Sequence, residues 1–253
     1  MSQLFPSALL ETLRKARSIA VLTGAGISAE SGVPTFRDAQ TGLWAKFKPE
    51  ELATAEAFLR NPKMVWEWYR YRFDMVRTVQ PNPGHYALAE MERRVSEFTL
   101  VTQNIDGLHQ KAGSRNVQEL HGNIQRYKCF EDNQAVESWA PTEEMPPKCP
   151  RCGGMIRPDI VWFGESLPDG PYVAAHMASE TCDVFFSIGT SAVVFPAAAL
   201  PGMALRAGAV VVEINPERTP LTAQATYVFQ MPSGQLLPEL VKAAWGAVDS
   251  SKQ

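Results

Sequence analysis

The first run in the chain whose residue types and spacing could do chemistry is Gly24-Ala-Gly-Ile-Ser-Ala29. It matches the dinucleotide-loop fingerprint in the version ending in Ala and directly follows the apolar residues 19–22, which read as a buried parallel strand. Glycines at such a turn let backbone approach a pyrophosphate. A helix beginning after Gly26 would aim its free N–H groups and positive dipole end at that anion. The usual sequel of a hydride-transfer unit, a second strand ending in an acid about 20 residues on, is missing. Instead Ser31-Gly-Val-Pro34 breaks the helix and Thr35-Phe-Arg-Asp38 opens a polar and aromatic loop, read as a flexible cover over a nucleotide. A second chemical grouping is Cys129, Cys149 and Cys152, with Cys149-Pro-Arg-Cys152 as a metal-type pair. It reads as a metal cluster in a reducing compartment rather than a disulfide scaffold.

The elements that must position these groups follow the pattern of an α/β chain. Residues 7–17 read as a helix packed on the sheet and residues 50–59 as a short helix. Asn61-Pro62 caps a longer helix running to about residue 79, on which Tyr69 and Arg72, three apart, are neighbours on one face. After Pro81-Asn-Pro-Gly84, residues 85–95 form a second sheet-covering helix. Strands are expected at 98–102, 117–120, 184–188, 209–214 and 227–230, with a crossover helix at 196–207 and a closing helix at 236–247. Polar groups gather at the strands' carboxyl ends: Gln103-Asn-Ile-Asp106, His121, Gly189-Thr-Ser191 and Asn215. Open α/β sheets place their ligands there. Residues 124–160 are turn-rich and read as a small metal ribbon, after which 157–162 are expected to return to the main domain.

With 253 residues, 45% hydrophobic and 20% charged, the chain can bury one α/β domain carrying a smaller insertion. A net charge of −3 argues against a strongly basic nucleic-acid surface. Neither a secretory leader nor an apolar run approaching the ~20 residues of a membrane helix is evident, so a cytoplasmic location is expected.

Taken in order, Gly24-Ala-Gly-Ile-Ser28, Thr102-Gln-Asn-Ile-Asp-Gly-Leu-His109, Leu120-His-Gly122, the stretch 158–165 and Gly189-Thr-Ser191 resemble the sirtuins, NAD-dependent protein-lysine deacylases. The resemblance implies a discontinuous Rossmann-type domain for NAD over residues 1–35, 82–123 and 161–253. It also implies a small domain over 36–81 and 124–160, made of the cover loop, a helical insertion and a zinc-ribbon-like module. Acylated-lysine proteins would be the substrates, their lysine entering between the two. Nicotinamide would leave as the amide oxygen attacks the ribose carbon, giving free lysine and an O-acyl-ADP-ribose. His121 would be the general base for the ribose hydroxyl, since an imidazole pKa of about 6.5 lies near working pH.

Gly24, Ala25, Gly26, Phe36, Arg37, Gln103, Asn104, Asp106, Gly189, Thr190, Ser191, Asn215 and Ser233 resemble the cofactor contacts. Asn104 and Asp106 would serve nicotinamide and ribose, Arg37 the phosphates, Phe36 would shield the reaction centre, and Ser233 would lie near adenine. Val161, Phe163 and Gly164, opposite residues 193–195, would take the peptide backbone, with one of Trp162 and Phe163 a core aromatic. Tyr69-Arg-Tyr-Arg72 resembles the subclass that removes acidic acyl groups. There Arg72 would grip a succinyl or malonyl carboxylate bidentately and Tyr69 would donate alongside. His85, His109 and His176 are assigned packing or solvent roles. The family's two Cys-x-x-Cys pairs would need a cysteine at 132, where Asp132 stands. Cys129, Cys149 and Cys152 with that carboxylate could hold zinc, and loss of the metal is the alternative. Two other functional readings remain open at this level: protein ADP-ribosyl transfer, and a non-catalytic NAD or ADP-ribose sensor.

Overall fold

The computed structural model describes residues 4–35 and 48–246, so the cover-loop positions Phe36 and Arg37 lie outside the described residues. Six strands form one parallel sheet: β1 (Ser18–Thr23), β2 (Glu97–Thr102), β3 (Val117–Glu119), β6 (Val184–Ile188), β7 (Val210–Ile214) and β8 (Tyr227–Phe229). Strands β4 (Gly122–Cys129) and β5 (Ile156–Ile160) pair antiparallel as a separate two-stranded sheet. The large sheet runs β3-β2-β1-β6-β7-β8. This is the doubly wound order of dinucleotide-binding folds, with its reversal between β1 and β6, where such sheets bind ligands.

Side chains alternate across each strand, and both faces are covered. Ile19, Val21, Phe186 and Ile188 pack on one side against Leu9 and Leu13 of α1 (Ser7–Lys15), Leu88 and Met91 of α6 (Pro83–Arg94), and Leu236 and Leu240 of α10 (Ser233–Trp245). Ala20, Leu22, Phe185 and Val211 pack on the other side against Ala175 of α8 (Asp169–Thr181) and Leu200 and Ala204 of α9 (Leu200–Arg206). Truncating a buried leucine such as Leu13 or Leu240 to alanine would cost roughly 2–5 kcal/mol. The covered faces explain why β6 reads Val-Phe-Phe-Ser-Ile without alternation.

The remaining helices are α2 (Ala25–Ala29), α3 (Pro49–Leu52), α4 (Ala55–Arg60), α5 (Pro62–Thr78) and α7 (Leu108–Lys111). The single helix expected over 50–59 is two. Thr54 adopts extended backbone and its hydroxyl accepts from the Ala57 N–H at 3.1 Å, starting α4 afresh. Asn61 caps α5 as expected, accepting from the Met64 N–H at 3.2 Å. The crossover expected at 196–207 opens with a 3₁₀ turn over Ala197–Ala199 before α9.

The second correction concerns 157–162. The first four of these residues belong to β5, with Ile160 opposite Gly122 and Ile156 opposite Cys129, so they stay in the small sheet. A core of Phe58, Val65, Trp68, Tyr69, Ile124, Ile160 and Trp162 joins α4 and α5 to that sheet. Among the described residues no helix is long and apolar enough to cross a membrane.

Candidate active site

The loops after β1 and β6 meet at the reversal of strand order. Gly24 N–H donates to the Ile188 carbonyl (3.0 Å) and Gly26 N–H to the Gly189 carbonyl (2.8 Å). A Cβ on Gly24 would stand 2.8 Å from Gly189 O, and one on Gly26 2.7 Å from Gly189 Cα. Gly189, at φ +59°, would set a Cβ 2.4 Å from Ile27 N. The missing side chains let the two loops pack directly on each other, so they interlock as one surface. Ala25 opens α2 beside them.

Beneath this surface lies a closed polar cluster. Ser28 Oγ donates to Asp106 Oδ2 (2.8 Å) and accepts from Asn104 Nδ2 (3.1 Å), which also donates to the Gly24 carbonyl (3.1 Å). Asp106 Oδ1 accepts from the Leu108 N–H at 2.9 Å, an Asx turn that starts α7. Burial raises the Asp106 pKa. His85 Nδ1 accepts from the Asn82 N–H (3.3 Å), which places its proton on Nε2, 3.4 Å from Ser28 Oγ. Thr23 Oγ1 donates to Thr102 Oγ1 (2.9 Å) and therefore accepts from His109 Nε2 (2.9 Å). Both rings are buried, their centroids 4.9 Å apart. Burial pushes the His85 pKa down to about 4 and that of His109 well below the usual value, so both are neutral. Packing or solvent roles are the expectation for these two histidines. Their hydrogen bonds make them part of the site's foundation, and Ser28 belongs with them.

His121 is held the opposite way. Its Nδ1 lies 2.9 Å from the Gln103 carbonyl, an acceptor only, so Nδ1 carries the proton and Nε2 keeps its lone pair. Burial lowers its pKa, while the Gln103 carbonyl opposes that shift by favouring the protonated ring. Gln103 also donates to Thr190 Oγ1 (3.0 Å), and Asn215 Nδ2 donates to the Thr190 carbonyl (2.8 Å). The ends of β2, β6 and β7 are thereby brought together, with Ser191 beside them. Ser233 begins α10, where the Gly234 N–H donates to Glu30 Oε1 at 2.7 Å. Its own buried hydroxyl has no partner among the described residues.

The third wall comes from α5 and the loop after β5. Tyr69 is buried and its hydroxyl accepts from Trp162 Nε1 at 2.9 Å. Burial raises the phenol pKa, so it stays protonated. Arg72 lies with its guanidinium carbon 5.2 Å from the Trp68 ring centroid. Burial lowers the Arg72 pKa, and the nearby Tyr69 and Asp106 counter it. Among the described residues no carboxylate pairs with this guanidinium within 4.0 Å. In the loop, the Val161 N–H donates to the His121 carbonyl (3.0 Å) and the Phe163 N–H to the Ala53 carbonyl (2.9 Å). Trp162 is the core aromatic at 1% exposure, while Phe163 (49%) and Phe195 (73%) are open to solvent. Gly164, at φ +87°, turns the loop, and Arg157 braces it through both oxygens of Glu165.

The Sγ atoms of Cys129, Cys149 and Cys152 all lie within 4.8 Å of one another, Cys129 and Cys152 at 3.4 Å. Thiolates around one zinc at ~2.3 Å would stand comparably close, so three corners of a tetrahedral site are in place. Asp132, expected as a possible fourth ligand, is not one of this converging set. Its carboxylate is turned to the Arg151 guanidinium at 3.3 Å.

A family model described as the Sir2 family matches residues 24–196. The chain belongs to the Sir2 family. An NAD-dependent protein deacylase of Aquifex aeolicus is 55% identical over 214 residues, covering 84% of this chain and 89% of that protein. A Sir2 homologue solved as its NAD complex superposes with a TM-score of 0.89 at 45% identity, over 95% of this chain and 94% of that one. A Sir2 protein bound to acetylated peptide superposes with a TM-score of 0.84 at 30% identity, over 95% and 99%. In this Sir2 chain the glycine interlock, the Ser28 cluster and His121 all lie within the matched segment, as do Tyr69 and Arg72. The histidines of the cluster carried a signal only in part: Asn82-Pro-Gly-His85 announces a helix cap, but the bond from His85 to Ser28 spans 57 positions.

Proposed function

We propose that the acyl group this NAD-dependent protein deacylase prefers carries a carboxylate, as in succinyl- or malonyl-lysine, with some deacetylation alongside. The observation that carries the reading is Arg72, a half-buried guanidinium packed on Trp68 with no carboxylate partner among the described residues, one helical turn from the buried Tyr69 hydroxyl. A charge so placed is costly unless a ligand completes it. A carboxylate at the far end of the acyl chain would accept from both groups, and an acetyl group offers neither contact.

NAD, as co-substrate, supplies the electrophilic ribose carbon and the hydroxyl that takes over the acyl group. The chain's own residues divide the remaining work. The Gly24, Ala25, Gly26 and Gly189 backbone would border the diphosphate, with Arg37 and Phe36 on the cover side. Gln103, Thr190, Ser191, Asn215 and Ser233 would hold the adenosine half, and Asn104 and Asp106 the nicotinamide and its ribose. His121, presenting a basic Nε2, would take the hydroxyl proton. The substrate backbone would lie along Val161, Phe163 and Gly164. The Val161 and Phe163 amides are already spent inside the protein, so pairing would use other groups of this segment. Cys129, Cys149 and Cys152 would hold zinc as a brace for the small sheet, with no part in the chemistry. A cytoplasmic location accords with four free cysteines. The test is to incubate the protein with NAD and matched acetyl-lysine and succinyl-lysine peptides and compare kcat/KM by mass spectrometry of both products. A clear succinyl preference is expected, and an acetyl preference would return Arg72 to a surface role.

A further inference from the structure

Trp162 is 1% exposed and clamped on several sides. The Arg157 guanidinium carbon lies 3.3 Å from its ring centroid, Phe58 packs at 5.2 Å, and the Tyr69 ring stacks at 6.3 Å with 23° between planes. Its backbone N–H is fixed as well, donating to Glu165 Oε2 at 2.8 Å. The indole therefore has one orientation, and in it Nε1 donates to the Tyr69 hydroxyl at 2.9 Å.

An indole N–H is a donor and nothing else, so the Tyr69 oxygen is committed as an acceptor and its own hydrogen must go elsewhere. Among the described residues no acceptor takes that hydrogen. The neighbouring polar group on the helix face is Arg72, a donor only. A donor O–H and a donor guanidinium thus lie close enough on one helix face to interact electrostatically, and a ligand oxygen placed between them could accept from both.

We infer that Trp162 is a specificity-determining positioning residue: by holding the Tyr69 oxygen as an acceptor, it aims the phenol hydrogen at the carboxylate of an acidic acyl group beside Arg72. This rests on the acidic-acyl reading above. Without the indole N–H, the Tyr69 oxygen is open to accept from Arg72, and the two groups that read the carboxylate then pair with each other.

The test is a double-mutant cycle of Trp162→Phe and Tyr69→Phe, with kcat/KM for succinyl- and acetyl-lysine peptides and NAD. Phenylalanine keeps an aromatic ring against Arg157 and removes only the indole donor and part of the ring. Trp162→Phe is expected to lower succinyl efficiency on the order of 5-fold, equivalent to ~1 kcal/mol, while acetyl efficiency stays within about 2-fold. In the Tyr69→Phe background the same change is expected to cost nothing further for succinyl. Equal losses for both peptides, or an undiminished loss when Tyr69→Phe is already present, would overturn the inference. If the unaltered protein shows no succinyl preference, the functional reading itself falls and this inference with it. A measurement on the unaltered protein guards against misfolding of the variants. A phenol that donates becomes a better acceptor, so the Trp162 indole N–H resonance should move downfield when succinyl-lysine peptide binds and hold still with the acetyl peptide. An unmoved resonance in both cases would count against the proposal.

Discussion

Around the glycine loop, Ser28, His85, Asn104 and Asp106 spend their hydrogen-bonding groups on one another, whereas at Tyr69 and Arg72 a phenol hydrogen and a guanidinium are left over. Asp106 and Tyr69 are both buried, while Arg72 and Asn104 are half-buried, so the contrast lies more in the partners than in exposure. A satisfied buried network stabilises one arrangement and costs little to keep. An unsatisfied buried donor costs stability until something accepts from it. The first region therefore reads as part of the fold, and under the acidic-acyl proposal the second would be completed by a ligand. The tautomer of His121 is the reverse of that of His85, because its Nδ1 faces a carbonyl whereas His85 Nδ1 faces an N–H.

The largest expected effect comes from His121. His121→Ala should lower deacylation by about 10²–10⁴-fold, the usual range for loss of a general base, while the melting temperature stays near that of the parent. A loss of stability of the same order would mean that His121 belongs to the satisfied network instead. Arg72→Met probes the other side. Removing a half-buried charged donor should cost up to ~100-fold in succinyl efficiency and little in acetyl efficiency, and equal losses in both peptide assays would erase the distinction between the regions.

The satisfied side is tested by acid. With the folded His85 pKa at about 4 and an unfolded value near 6.5, the unfolded chain binds a proton that the folded chain refuses between those limits. Stability should therefore fall as pH drops through this window, by about 2 kcal/mol from His85 between pH 7 and pH 5, with His109 adding in the same direction. Urea melts across that range would show the slope, and a flat response would mean that these rings titrate freely. The smallest change is expected far from both regions: Asp132→Cys should strengthen zinc retention against a chelator, read by metal analysis, and leave turnover within about 2-fold.

Much of this was legible in the sequence for a simple reason. The central strands β1, β6 and β7 are largely apolar runs that stop at polar groups, and those polar groups at the carboxyl ends make up the candidate site. The break at Thr54 was missed because its cap competes with a helical period that runs through residues 50–59. The staying of 157–160 in the small sheet was missed because pairing with 122–129 is a long-range choice that local pattern does not express. The sequence assigns His85 and His109 no more than packing or solvent roles because a histidine's role depends on what lies opposite each ring nitrogen, and here the partners are Ser28 and Thr23. The division of labour between Trp162 and Phe163 was visible as a choice of one, since neighbours on an extended segment point opposite ways.

The single hydrogen bond from the Val161 N–H to the His121 carbonyl has a consequence for how tolerant such an enzyme can be. The platform along which a substrate chain would lie is fastened to the backbone of the residue that would move the proton. A displacement of one would tend to carry the other with it, so under the proposed binding mode the reacting amide would keep its distance from the imidazole whatever side chains flank the lysine. Indifference to the surrounding sequence and strictness about the chemistry would then come from the same fastening.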